Sequence, residues 1–331
     1  MVKIVRFYEF GEADVLKLEE VSLPQPNKGE IRLKVEAIGL NRAEVLFREG
    51  KYIEEPDSFP ATLGYEASGT VDAVGEGVTE FTVGDRVSTI PGFSMKKYGV
   101  YGESVIVPVA MVAKYPEHLS VQEGAAIWMQ YVTAYGALVE YGQIKTGDFV
   151  LLSAASGSVG SAAIQITKAQ GATAIATTRK ASKKQMLLDN GADYVIVTDE
   201  EDLSTRIKAI TKGQWISFIF DPVAGSLLKT LADVAAKGAT IIEYGALSSE
   251  TTTFPLLPAI AKGLKIQGYT LGEIARDSAK LERAKQYIYD GLDSGSLTPI
   301  IDRTFAFEQI VEAHRYMESN QQKGKIVITV P

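Results

Sequence analysis

From residue 149 onward the chain alternates between short apolar runs and amphipathic stretches of helix length. The runs are "FVLLSA", "ATAIATT", "YVIVT", "ISFIFD", "ATIIEYG" and "LKIQGYTL". Each is nearly continuous in apolar residues, the pattern of strands covered on both faces. Six such strands, separated by helices or helix-length loops, bury their faces as a parallel sheet with helices on both sides. The expected fold class is therefore α/β, with a doubly wound six-stranded parallel sheet. "GAAIWMQYVTAYGALVEYG" (124–142) has helical spacing and leads into this region. "SAKLERAKQYIYDGLDSGSL" reads as a further helix stopped by glycine.

The first 125 residues or so follow a different rhythm. "IRLKVEAIGL" (31–40), "ASGTVDAVG" (67–75) and "DRVSTI" (85–90) alternate or are β-branched, with Gly and Pro between them. They describe a β-rich, barrel-like or sandwich-like unit. At the other end, "TFAFEQIVEAHRYMESNQ" reads as helical and "GKIVITV" as a strand. A chain of 331 residues is too long for one comfortable core, so two domains are expected.

The segment "SAASGSVG" (153–160) follows the first apolar run and opens a helix over 159–170, closed by Gly171. A second strand comes directly afterwards. This strand–loop–helix–strand context is what the dinucleotide fingerprint G-x-G-x-x-G requires. Gly157 serves backbone approach to a pyrophosphate and Gly160 serves helix–strand packing, while the helix-start N–H groups face the phosphates. Ala155 replaces the first glycine, which is tolerable if its φ stays negative.

The second strand ends in "ATTRKASKK" (176–184). A site for NADH places Asp or Glu there to bond the ribose hydroxyls. Here the place holds Thr178, followed by Arg179, Lys180 and Lys183, a cluster suited to a 2′-phosphate. The expected cofactor is NADPH.

Other classes are excluded by simple counts. Formal net charge is −7, with no basic face for nucleic acid. No apolar run approaches the roughly 18 residues of a spanning helix, and "MVKIVRFYEF" lacks the features of a signal peptide, so the expected location is cytoplasmic. There are no cysteines and only two histidines, His118 and His314, which excludes disulfides and zinc sites of the usual Cys/His kind. The histidines are read as surface or capping residues.

The order of these parts resembles the medium-chain dehydrogenase/reductase superfamily, in its zinc-free quinone oxidoreductase-like branch. The resemblance covers nearly the whole chain. It is carried by "VEAIGLNRAE" (35–44), "LGYEASGTVDAVGEGV" (63–78), "FTVGDRV" (81–87), "TAYGAL" (133–138), "SAASGSVG" (153–160), "LLDNGADYVI" (187–196) and "GKIVITV" (324–330). It implies a GroES-like catalytic domain from 1–124 and 271–331, and an NADP-binding Rossmann domain over 125–270. In zinc-using members the first catalytic ligand is a cysteine in the place of Asn41 and a histidine follows in the place of Tyr65. A third ligand falls near Met129, so no metal is expected here. The branch is commonly dimeric through edge strands of the cofactor domains, which "LKIQGYTL" (264–271) would supply.

Without a metal to stabilise an alkoxide, simple alcohol oxidation is difficult. Reduction of an activated C=C beside a carbonyl, or of a quinone, needs only a hydride and one or two hydrogen-bond donors for the developing oxyanion. The expected activity is NADPH-dependent reduction of small quinones or α,β-unsaturated carbonyls, with no nucleic-acid or membrane partner. Candidate catalytic donors are Asn41, Tyr52 and Tyr131. Arg42, Tyr65 and Trp128 are candidate pocket residues, with Arg42 attracting an anionic substrate or pairing with Glu44. For the cofactor the candidates are Thr133, Ala155, Gly157, Ser158, Val159, Gly160, Thr178, Arg179, Lys183, Asp221, Gly245 and Ala246. Lys325 joins them through its match to a family lysine near the cofactor. An enoyl-thioester reductase and an NADPH-binding protein with little turnover are the alternatives.

Overall fold

The alternating segments at the start of the chain become β1 (Val2–Arg6), β2 (Lys17–Val21), β3 (Glu30–Gly39), β4 (Glu66–Val74), β5 (Arg86–Thr89), β6 (Ser104–Pro108) and β7 (Val112–Lys114). The six apolar runs become β8 (Phe149–Leu152), β9 (Thr173–Thr178), β10 (Tyr194–Val197), β11 (Ile216–Asp221), β12 (Ala235–Glu243) and β13 (Lys265–Gly268). Near the end lie β14 (Ile301–Ala306) and β15 (Lys325–Thr329). This computed structural model describes residues 1–331.

Two compact units result: Met1–Met129 with Pro299–Pro331, and Gln130–Thr298. In the first, a GroES-like β domain, seven strands follow the order β14-β15-β3-β4-β5-β7 with β6 paired to β3. β15 lies between β14 and β3, parallel to the former and antiparallel to the latter. The C-terminal strand is therefore an interior member of a sheet begun by the N-terminal part. Val5, Phe7, Leu33, Val35, Phe47, Val87, Val107, Phe307 and Ile328 belong to its core. No helix is long and apolar enough to cross a membrane.

The second unit is Rossmann-like. Its sheet runs β10-β9-β8-β11-β12-β13, parallel throughout. Its limits differ from the expected 125–270. Trp128 belongs to the first unit, where its indole N–H donates to Ser88 Oγ at 2.7 Å. The helix Ser278–Ser294 belongs to the second, with the Tyr287 ring 5.1 Å from Tyr135 and its hydroxyl accepting from Gln170 at 3.1 Å. The run read as helical from Thr304 also differs, since Thr304–Ala306 completes β14 and the helix is Ile310–Glu318.

His314 lies neither on the surface nor in a cap. It is fully buried, on the inward side of Ile310–Glu318. Its Nδ1 is 3.5 Å from Arg48 Nη1 and its Nε2 is 3.3 Å from the Tyr101 hydroxyl. A guanidinium can only donate, so Nδ1 accepts and the ring hydrogen sits on Nε2. Tyr101 in turn donates to Glu44 Oε2 at 2.9 Å. The bonds form a directed chain from the buried Arg48 to the buried Glu44, through a histidine that must stay neutral.

Burial and the nearby Arg48 and Arg42 guanidinium groups push His314 down to about 3. A depressed histidine pKa means that the unfolded chain binds a proton the native state refuses, so stability falls as pH drops through 6.5 towards 3. This group alone removes about 2 kcal/mol between neutrality and roughly pH 5. Denaturant titrations of His314→Gln should show a shallower decline over that interval than the parent. An equal decline would show that other groups govern the acid side.

Candidate active site

β8 lies between β9 and β11, so its C-terminal end delivers the chain to the point where strand order reverses, the ligand edge of an open α/β sheet. The helix Ser158–Ala169 starts there with Gly157 as its N-cap and no side-chain acceptor. Its first internal bond runs from Ser161 N to Gly157 O at 2.9 Å. The N–H groups of Ser158, Val159 and Gly160 have no acceptor within the helix, and the helix dipole favours an anion beside them. A Cβ on Gly157 would meet nothing within 4 Å, which leaves room for a ligand to approach the backbone. A Cβ on Gly160 would lie 2.4 Å from Ala155 O, so glycine is what lets the helix close onto the loop. The left-handed residue of the turn is Ala154, with φ 45°. Ala155 is fully buried, and its N–H donates to Thr177 O at 3.0 Å, tying the loop to β9.

The basic cluster after β9 divides three ways. Lys183 is only 8% exposed, and its ammonium donates to Ser156 Oγ in the glycine loop at 3.1 Å. Lys180 pairs with Asp199 at 3.3 Å, while Arg179 is exposed at the strand end. Thr178 is buried. The free helix terminus, the ammonium above the loop and the absence of a carboxylate at the end of β9 all suit a phosphate-rich dinucleotide.

On the other side of the switch point, Asp221 is fully buried at the end of β11. It accepts from the Ser153 hydroxyl at Oδ1 and from Ala224 N at Oδ2, the latter at 2.7 Å. Gly245 follows β12 so closely packed that a Cβ would lie 2.9 Å from Pro222 O, and Ala246 is exposed beside it. Thr133 is buried on the helix Trp128–Tyr135. Tyr131, expected as a catalytic donor, is fully buried with its hydroxyl on Gln165 Oε1 at 2.8 Å. The helix turns it towards Ser158–Ala169, and it joins the two.

In the first unit the charged cluster centres on Asn41, the N-cap of the helix Arg42–Arg48. Its backbone N–H donates to Glu44 Oε2 at 2.5 Å. Its side-chain oxygen accepts from Lys325 Nζ at 2.6 Å, while its Nδ2 faces Gly39 O, Glu44 and Glu66 at 3.1–3.2 Å. Lys325 also donates to Glu66 Oε2, and Glu66 Oε1 accepts from Met129 N at 2.8 Å. Lys325 and Glu66 are each 1% exposed. Glu44, further bonded by Tyr65 N at 3.1 Å, is pushed up to about 7 by its burial. Beside the cluster, the Tyr65 hydroxyl donates to Glu54 Oε1 at 3.1 Å, and its ring packs edge-on against the half-buried Tyr52. Burial raises the Tyr65 pKa far enough to keep it protonated.

Three expectations change here. Arg42 does not pair with Glu44 or reach for a substrate: its Nη2 donates to Met317 O and Asn320 Oδ1 at 3.1 and 2.6 Å. It caps the helix Ile310–Glu318, whose terminal carbonyls draw a cation. Trp128 is core, fully buried. Lys325 spends its ammonium on Asn41 and Glu66. Glu44 is expected only as a partner of Arg42 and Glu66 carries no expected role, although the signal for Glu66 is there: an acid opening the apolar strand "EASGTV" faces a lysine opening the apolar strand "KIVIT".

The segment 158–286 matches the model described as Zinc-binding dehydrogenase, and 27–117 the model described as Alcohol dehydrogenase GroES-like domain. The chain is 32% identical over 333 residues to a quinone oxidoreductase of Homo sapiens, covering 99% of this chain and 98% of that protein. It superposes on the Pseudomonas syringae pv. Tomato quinone oxidoreductase with a TM-score of 0.92 and 28% identity, over 99% of this chain and all (100%) of the other. For the Escherichia coli quinone oxidoreductase complexed with NADPH the TM-score is 0.91 at 28% identity, covering 99% of both chains. The chain belongs to the medium-chain dehydrogenase/reductase family, as an oxidoreductase of its quinone oxidoreductase-like branch.

Lys325→Met should lower stability by about 3–5 kcal/mol in denaturant titrations, because it strands the Glu66 carboxylate without its cation. Adding Glu66→Gln should recover part of that loss. Equal stability of single and double variants would show that the ion pair is not what holds Glu66.

Proposed function

We propose that the protein is a metal-independent, NADPH-dependent cytoplasmic reductase of quinones or of the activated C=C of α,β-unsaturated carbonyl compounds. The observation that carries this reading is the open helix N-terminus at Gly157–Ser158 with Lys183 poised above its loop. When bound, NADPH supplies the hydride. The chain's own residues then have two tasks: to hold the cofactor phosphates, and to offer donors to the oxyanion that develops on the acceptor. Ser158, Val159 and Gly160 N–H groups with Lys183 meet the pyrophosphate, while Thr178 and Arg179 flank the 2′-phosphate. Tyr52 is the donor to the acceptor oxygen. Asn41, whose amide oxygen is held by Lys325, fixes the polar floor beside it. Glu44, near neutrality, can keep or release a proton within that floor.

The activity test follows NADPH and NADH oxidation with a panel of small quinones and enones. NADPH should be consumed and NADH far less. Lys183→Ala should weaken NADPH binding on the order of tenfold to a hundredfold, the range of one charge-assisted bond, and Tyr52→Phe should lower turnover while leaving NADPH affinity intact. No oxidation despite tight NADPH binding would sink the quinone and enone assignment.

We further infer a homodimer through the cofactor unit. β13 is an edge strand with one unpaired side, and the preceding helix Leu256–Lys262 leaves Leu257 77% and Ile260 70% exposed, beside Phe254 and Leu256. An open edge next to an apolar patch invites a second copy. Sedimentation should give a dimer for the parent chain and a monomer for Leu257→Glu/Ile260→Glu. A monomeric parent would remove the inference.

A further inference from the structure

Tyr52 is the proposed donor to the acceptor oxygen, and a donor spent in one turnover must regain its proton before the next. The groups behind it lie entirely within the first unit. Tyr65 packs edge-on against Tyr52 with ring centroids 6.4 Å apart, and the two side chains are hydrogen-bonded. The Tyr65 hydroxyl donates to Glu54 Oε1 at 3.1 Å. A phenol has one hydrogen and a carboxylate only accepts, so the Tyr65 oxygen accepts from Tyr52. The bonds run in one direction, from Tyr52 to Tyr65 to Glu54.

The far end of this chain is firmly placed. Glu54 Oε2 accepts from Ser94 Oγ at 2.5 Å and Oε1 from Met95 N at 3.0 Å. Three residues on, Asp57 pairs with Lys96, so the segment that carries Tyr52 is tied twice to the segment 94–96. Tyr65 is buried, with the Phe93 ring 5.8 Å from its own, whereas Glu54 is half-buried and meets solvent. Glu44, the other acid beside Tyr65, reaches only its backbone N–H, at 3.1 Å, and so has no proton to give the hydroxyl. Burial, with Tyr52 and Glu54 adding to it, keeps Tyr65 protonated. It is therefore suited to hand a proton on while receiving another, without resting as a phenolate.

We propose that Glu54 and Tyr65 form the path by which Tyr52 regains its proton from solvent. This rests on the reading of Tyr52 as the donor. Neither residue touches the acceptor; both are positioning residues that act through Tyr52. Once the acceptor has gained a hydride, the Tyr52 O–H bond breaks and the acceptor oxygen gains the proton. The Tyr52 phenolate takes the hydrogen of Tyr65. Tyr65 takes one from the Glu54 carboxyl, which Glu54 has taken from a hydronium ion. Each hop breaks one O–H bond and makes another, so one solvent proton enters for each hydride delivered.

The test compares the first turnover with later ones, by rapid mixing of the full chain with excess NADPH and the fastest acceptor of the quinone and enone panel. Glu54→Gln keeps the shape of the side chain but has no acid proton to pass on. It should consume a first equivalent of NADPH at close to the parent rate and then slow roughly tenfold to a hundredfold, the lower range for a positioned proton-transfer group. Acetate buffer should speed that slow phase by bringing protons directly, which slow product release would not allow. Tyr65→Phe should show the same slow phase and carries the test if Glu54→Gln does not fold, while Tyr52→Phe should be slow from the first turnover. A steady rate equal to the parent's in either path variant overturns the proposal, and so does a slow phase that acetate leaves unchanged. A Tyr52→Phe chain that turns over as fast as the parent overturns the donor reading instead.

Discussion

A buried ammonium organises the first unit. Lys325 Nζ sits where water does not reach, and each of its two observed bonds ends on a group that other elements hold in place: Asn41 at the start of Arg42–Arg48 and Glu66 at the start of β4. An uncompensated charge at such depth is costly, so the lysine and its carboxylate partner fix one another. Glu44 adds a second acid to the same neighbourhood. A hydrogen-bonded chain links it to Arg48 through His314 and Tyr101, while Arg48 itself is ion-paired with Glu318. Two acids and two bases, all buried, thus hold the backbone around Asn41, and neutrality of His314 is a condition of the arrangement. The hydrogen bonds of this cluster tie together two helices and two strands.

The second unit works by the opposite means. Its binding edge is built mainly of backbone and of vacancies for side chains. Gly157 leaves open space, Gly160 lets a helix close on a loop, and a helix of twelve residues (Ser158–Ala169) presents unspent N–H groups. Charge enters late and sparingly, through Lys183 and the exposed Arg179. Such a surface is made for a ligand that brings its own charge. The first unit, by contrast, keeps its charges buried and paired with one another.

Much of this was legible in the chain. The six apolar runs became the six parallel strands because strands buried on both faces need no alternation, and that pattern belongs to few folds. The glycine loop was legible because its context, and not the loop alone, carried the inference. What escaped was of one kind. Tyr131, Trp128 and Arg42 are residue types able to do chemistry, and only the packing shows that Gln165, Ser88 and the end of Ile310–Glu318 already occupy them. His314 escaped for the same reason, since nothing local in "VEAHRYM" states that Arg48 lies against it. Glu66 and Lys325 are separated by most of the chain, so their pairing depends on β15 entering the sheet beside β3. Local pattern reports the period of an element; it does not report which distant element will satisfy a polar tip.

The place of β15 also orders events in time. During synthesis the six strands of the second unit, all between residues 149 and 268, leave the ribosome before β15 exists. The seven-stranded sheet then still lacks an interior strand, and Glu66 still lacks its cation. One unit can therefore finish folding while the other waits, its apolar sheet face and a lone carboxylate exposed to whatever meets them first. β15 acts as a closing key for that sheet. A nascent chain stalled shortly before residue 325 would carry a complete cofactor fold attached to an unfinished partner, the form most in need of a chaperone.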